Sequence, residues 1–162
     1  MYKRKLIKLF NYIYEMPEED MAWFEKKDFF NELLDKVNVF SEYINCVSDM
    51  ESKSNMYSGG VVAFERYREI IQEVDKKRKK FHEKIVEDIR DLNHMFEIFN
   101  MGTFVEVDLE DKQQVADYAA KIVYDLYTRR ATEQEILKIT LDDMVNGQQY
   151  YPLNLEDFVD YR

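Results

Sequence analysis

Cys46 is the only cysteine in 162 residues. That excludes an intramolecular disulfide and any zinc or iron–sulfur site built from several cysteines. Cys46 falls beside Val47 on an inner helical face with no histidine near it in the chain, which predicts a buried, inert thiol. Glycine and proline are almost as scarce, at 4 and 2 residues. So little punctuation predicts long helices joined by few turns. Long uncharged apolar runs are also missing: none approaches the roughly 20 residues of a membrane span. The basic start MYKRK is interrupted by Lys8 and Asn11 before a secretory core or cleavage site develops. The expectation is a cytoplasmic protein without a membrane span. No Gly-rich phosphate loop, G-x-S-x-G, H-E-x-x-H or pair of metal-binding cysteines occurs. The sequence therefore argues against an enzyme, and no cofactor is expected.

Apolar side chains make up 46% of the chain and aromatics 15%, too much for a disordered protein even with 35% charged residues. At this length a single domain spanning residues 1–162 is expected. The net charge of −10 makes direct nucleic-acid binding unfavourable. The charge is unevenly spread. Residues 1–14 hold 4 basic and no acidic side chains, 15–58 hold 4 against 11, 59–99 hold 9 of each, and 100–162 hold 6 against 13.

The organising stretch is 61–99, free of Gly and Pro, with Phe64, Tyr67, Ile71, Val74, Phe81, Ile85, Ile89, Leu92, Phe96 and Phe99 at helical spacing. A second helix at about 17–50 carries the seam Phe30, Leu33, Val37, Phe40, Ile44 and Val47. A polar loop at 51–60, ending in Gly59-Gly60, would make the two helices antiparallel. In the register this loop implies, Val47 meets Phe64, Val37 meets Val74 and Leu33 meets Arg78. Arg78 is the one charged residue in the seam, expected to pair with Asp28, Glu32 or Asp35 at a helix or subunit boundary. Around this pair the pattern predicts an amphipathic helix at 2–15, with further helices at about 109–130, 133–146 and 155–161. Asn100 and Gly102 would cap the long helix, TFVEVD (103–108) would be a short extended piece, Asp108 would be an N-cap, and Thr132 with Glu135 would form a capping box. The fold class is thus an all-α bundle of about five or six helices. In composition the chain resembles the small acidic helical proteins of bacteria and their phages, a likeness that assigns no residue.

Four groups of residues invite chemistry. Glu83, Glu87, Asp91 and His94 share one helical face and are the only metal-ligand candidates, but that face points away from the Ile85–Phe96 seam, as a solvated charged strip would. Lys76, Lys77, Lys79 and Lys80 spread around the outside of the helix, interleaved with acids and without the aromatic platform a nucleic-acid site needs. His82 lies at the seam edge with no catalytic partner at a suitable spacing. Asp117 and Asp125 match no paired-acid signature. The functional expectation is therefore protein–protein interaction with an unidentified partner. An acidic decoy for a basic nucleic-acid-binding groove is the alternative, and a metal-dependent helical enzyme comes third. A straight helix over 61–99 would be roughly 58 Å long, longer than a compact domain of this size. If the partner helix bends at Asp28, Ile85, Ile89, Leu92, Phe96 and Phe99 would overhang, to be covered by the helix at 109–130 of the same chain or by a second chain. The expectation is a homodimer, with these residues and Arg78 as an interaction surface.

Overall fold

A computed structural model describes residues 1–58, 60 and 63–158, with side chains described at these positions except 54–58. The chain is an all-α bundle: α1 (Tyr2–Tyr14), α2 (Trp23–Ser58), α3 (Phe64–Ile98), α4 (Lys112–Tyr127), α5 (Glu133–Lys138), α6 (Leu141–Met144) and a 3-10 turn, η1 (Leu155–Asp157). No strand occurs among the described residues. No helix among them is long and apolar enough to cross a membrane.

α2 and α3 form the antiparallel pair. The Cys46 thiol lies 3.8 Å from the Val74 carbonyl oxygen, Lys36 reaches Asp88 and Asp91, and the Phe29 and Phe99 rings meet at 5.8 Å. This corrects the register expected from sequence. Val74 meets Cys46 rather than Val37, a displacement of nine residues along α2, because ESKSNMYS (51–58) is helix and not loop. Its Ser and Asn residues favour turns only weakly, and no Gly or Pro stops the helix before Gly59. α2 also begins later than Pro17. The Pro17 carbonyl accepts from the Asp20 and Met21 amides, a single turn that is not continued, and the helix starts at Trp23.

α2 is buried on two faces. Val39, Tyr43 and Cys46 turn toward α3, while Phe30, Leu33, Val37, Phe40 and Ile44 fill the other side. The Phe30 ring meets Phe10 of α1 at 5.4 Å. Leu6, Leu9, Phe10 and Ile13 of α1 and Val115, Ala119, Ile122 and Val123 of α4 complete this core. α1 has no side-chain cap of its own, but Asp125 of α4 accepts from the Lys3 amide at 2.9 Å and supplies the first-turn partner from outside.

α3 ends in a Schellman motif. Asn100 takes φ 56°, its amide bonds the Glu97 carbonyl, and the Met101 amide bonds that of Phe96. The segment that follows is not a strand; Phe104 and Val105 are buried in it, and Asn93 of α3 donates to the Val105 carbonyl and accepts from its amide. The N-cap of α4 is Asp111 rather than Asp108, its side chain accepting from the Gln114 amide. The capping box at Thr132 and Glu135 opens α5. The single helix expected at 133–146 is two, because Thr140 and Asp143 form a second box that restarts the chain. The tail helix expected at 155–161 is the 3-10 turn alone within the described residues, 159–161 lying outside them.

From Gly147, a bend at φ 82°, to Leu153 the chain runs along α2. Ser48 accepts from the Gly147 amide at 3.0 Å. Asn45 pairs with both backbone groups of Tyr150, and Asn38 does the same for Leu153. Seven residues of helix rise about 10.5 Å and three extended residues cover about 10 Å, so the two asparagines match the strap's own spacing. Phe158 then stacks on Phe10 at 5.1 Å.

Candidate functional site

The overhang expected for 85–99 is covered within the chain. Ile85, Ile89, Leu92 and Phe96 are buried, Phe96 stacks on Phe104 at 5.3 Å, and Phe99 is partly covered by Tyr12 and Phe29. These residues are core, and the overhang no longer supports a homodimer. Arg78 faces Tyr43 rather than Leu33. Its Nε and Nη2 donate to Asp75 Oδ1 of its own helix at 3.3 and 3.0 Å, and Asp75 is shared with Lys79 at 3.3 Å. The expected partners Asp28, Glu32 and Asp35 play no part.

Glu83, Glu87, Asp91 and His94 are exposed. Asp91 accepts from Lys36 at 2.9 Å. Among the described residues no three His, Cys, Asp or Glu side chains converge as metal ligands would. The carboxylate that turns inward is Asp88, which sequence reading passed over. It is 5% exposed, its Oδ2 has no hydrogen-bond partner and its Oδ1 stands 3.9 Å from Lys36 Nζ. Burial pushes its pKa up from 3.8 to about 6 against the pull of Lys36. Asp117 and Asp125 are helix partners: Asp117 accepts from the Leu141 amide at 2.9 Å. Cys46 is buried, and burial raises its thiol pKa.

Two places on the molecule combine exposure with shape. The first is a cavity of about 260 Å³ between α2, α3 and the start of α4, lined by Tyr43, Arg78, His82, Lys112, Gln113 and Leu141, among others. The His82 ring lies 6.2 Å from that of Tyr43. Burial holds the imidazole pKa below its usual value, and the charges of Lys112 and Arg78 add to this against Glu83.

The second is the end of the bundle where α1 stops, α2 starts and α3 stops. Tyr12 packs on Phe99 at 5.7 Å and Phe29 on Phe99 at 5.8 Å, while Tyr14 and Trp23 meet edge to face at 6.1 Å. Trp23 is 54% exposed, Phe24 67% and Ile98 58%. A buried lysine fixes this corner: Lys26 Nζ donates to the Tyr14 carbonyl at 3.0 Å and to the Met16 carbonyl. Around the aromatics stand Glu15, Glu18, Glu19, Asp20, Glu25 and Asp28, all exposed. The sequence signal for this surface is WFEKKDFF (23–30), whose aromatics occupy more of the helix than one buried face can take.

Residues 9–132 match the family model described as Protein of unknown function (DUF3232). No curated protein and no solved structure gives a match. The match covers α2, α3, α4 and the second half of α1, and both the cavity wall on α3 and the aromatic end fall within it, which makes this chain a member of the DUF3232 family.

Proposed function

We propose that the protein works by protein–protein interaction, using the aromatic end of the bundle as its contact surface. The carrying observation is the exposed side chains Tyr12, Tyr14, Trp23, Phe24 and Ile98 on the segments that meet through the Tyr14–Trp23 and Tyr12–Phe99 contacts, in a stretch (15–28) that carries six exposed carboxylates and exposed Lys27. Large exposed aromatics at one spot are what interface centres use, with a polar rim outside them. The rim here is acidic, so the partner surface that fits is apolar at its centre and basic around it, as on a cationic amphipathic helix laid across the bundle end. A second copy of this chain fits poorly, because a two-fold contact at this end would set carboxylates against carboxylates.

Trp23 is the only tryptophan and therefore reports directly. Titration with a synthetic Lys/Leu amphipathic helix is expected to shift Trp23 emission to the blue, and the Glu/Leu counterpart should leave it unchanged. Phe24→Ser should weaken the effect at least tenfold. Equal responses to both peptides would defeat the proposal. The acidic decoy is the second reading, favoured by the run of acids over 15–28. It predicts binding that disappears with salt and ignores Phe24→Ser.

A further inference from the structure

We propose that the cavity beside Arg78 is a binding site for a phosphate monoester, its phosphate held by Arg78, His82 and Lys112 and its organic part against Tyr43 and Leu141. The observation is a juxtaposition of cations from two helices around one cavity. A chain of net charge −10 places Arg78 and Lys79 of α3 and Lys112 of α4 around one cavity of about 260 Å³, with Glu83 the carboxylate of its lining.

Asp75 accepts two hydrogen bonds from Arg78 through one carboxylate oxygen, which orients the guanidinium beside the cavity. Among the described residues Lys112 makes no ion pair, which leaves its ammonium for a ligand. Lys112 and Gln113 also form the first turn of α4, whose N-terminus Asp111 caps. The cations come from two helices, α3 and α4, that meet across the opening. His82 reads the resulting field: after burial, Lys112 and then Arg78 are what most disfavour its protonated form, ahead of the opposing Glu83. An anion seated between these groups reverses that disadvantage, and His82 becomes a donor to it. The remaining wall is apolar: the Tyr43 ring, Ala116 and Leu141. The volume exceeds what a bare inorganic phosphate needs, so a ligand with a small apolar body beside its phosphate fits better than the free ion.

This site is separate from the aromatic end, and its test does not depend on a protein partner. The chain has 2 histidines, and exposed His94 serves as the internal control for His82. Phenyl phosphate is added to the full chain at constant ionic strength while the imidazole Cε1–H signals are followed. The His82 signal is expected to move and saturate while His94 stays in place, and inorganic phosphate should need at least tenfold more to reach the same point. Lys112→Gln, at an exposed position that leaves the fold intact, should weaken phenyl phosphate at least tenfold. Lys76→Gln, on the outer side of α3, should not. Parallel movement of both histidines, an absence of saturation, or undiminished binding in Lys112→Gln would overturn the site. Equal midpoints for phenyl phosphate and inorganic phosphate would overturn its organic half.

Discussion

Asn45 holds Tyr150 by both ends of its amide, donating to the Tyr150 carbonyl at 2.9 Å and accepting from the Tyr150 amide at 2.8 Å. A side-chain amide here does what a neighbouring strand would do in a sheet. The bond satisfies two backbone groups of an extended segment that has no other strand to pair with. Asn45→Ala removes both bonds and strands both groups. The expected cost is about 2 kcal/mol, read as a shift in the urea midpoint with the slope unchanged. A loss below about 0.5 kcal/mol would show that water replaces the asparagine without penalty.

Asp88 gives a pH prediction with a definite sign. Its folded pKa of about 6 stands above the ordinary 3.8 because burial disfavours the charged form. The stabilising contribution is therefore fully present below about 3.8 and is lost as pH rises through about 6. At 1.36 kcal/mol per pH unit, this amounts to about 3 kcal/mol at neutral pH as an upper figure. Asp88→Asn should gain stability at pH 7, little or none at pH 3.5, and flatten the curve between. Lys36 keeps Asp91 at 2.9 Å in the variant. A neutral-pH loss in Asp88→Asn would show that the Lys36 contact outweighs burial.

Lys26 is buried with its ammonium on the Tyr14 and Met16 carbonyls, where it satisfies the end of α1 and meets the negative pole of that helix. Lys26→Met keeps the stem and removes the charge. The expected loss is about 3 kcal/mol, since hydrogen bonds to charged groups each contribute about 1.5–3 kcal/mol. Calorimetry should show a melting point roughly 6–12 °C lower for a chain of this size. An unchanged melt would mean that the corner between α1 and α2 is held by its apolar contacts alone.

Arg78 pairs with Asp75 within α3, and both side chains are about one-third exposed. An ion pair of this kind, open to solvent, contributes little. Arg78→Leu should leave the oligomeric state unchanged and the melting temperature close to that of the parent chain. With the 85–96 seam covered within the chain, light scattering of the free protein should give a mass near the chain's own 19.7 kDa. Twice that mass, or a new oligomer in Arg78→Leu, would restore the subunit contact that the sequence led us to expect.

The helices were largely legible because amphipathic spacing and capping residues are local signals. The pattern at 2–15 corresponds to α1, that at 109–130 contains α4, and Thr132 with Glu135 marks the start of α5. Pairing was less legible. α2 is buried on two faces, so either of its seams could be laid against α3, and a loop placed eight residues early selected the wrong one. Similar apolar layers along both helices made the displaced register look self-consistent. The inward turn of Asp88 was hidden for another reason: it sits between exposed Glu87 and buried Ile89 at the edge of a face, where spacing alone does not decide. The asparagine clasps rest on backbone groups more than a hundred residues away, and no local pattern announces them.

The α2–α3 hairpin is unequal along its length. From Phe64 to Lys80 the only buried α3 side chain is Val74, whereas Ile85, Asp88, Ile89, Leu92 and Phe96 are all buried beyond it. Amide hydrogens should therefore exchange in a gradient, fastest near the hairpin turn and slowest around Leu92, because opening the first turns exposes little apolar surface. The cavity at Arg78 and His82 lies at the border between the two regimes. A ligand bridging α3 to α4 there would clamp the looser half, so that occupancy could be read as slowed exchange several turns away from the bound molecule.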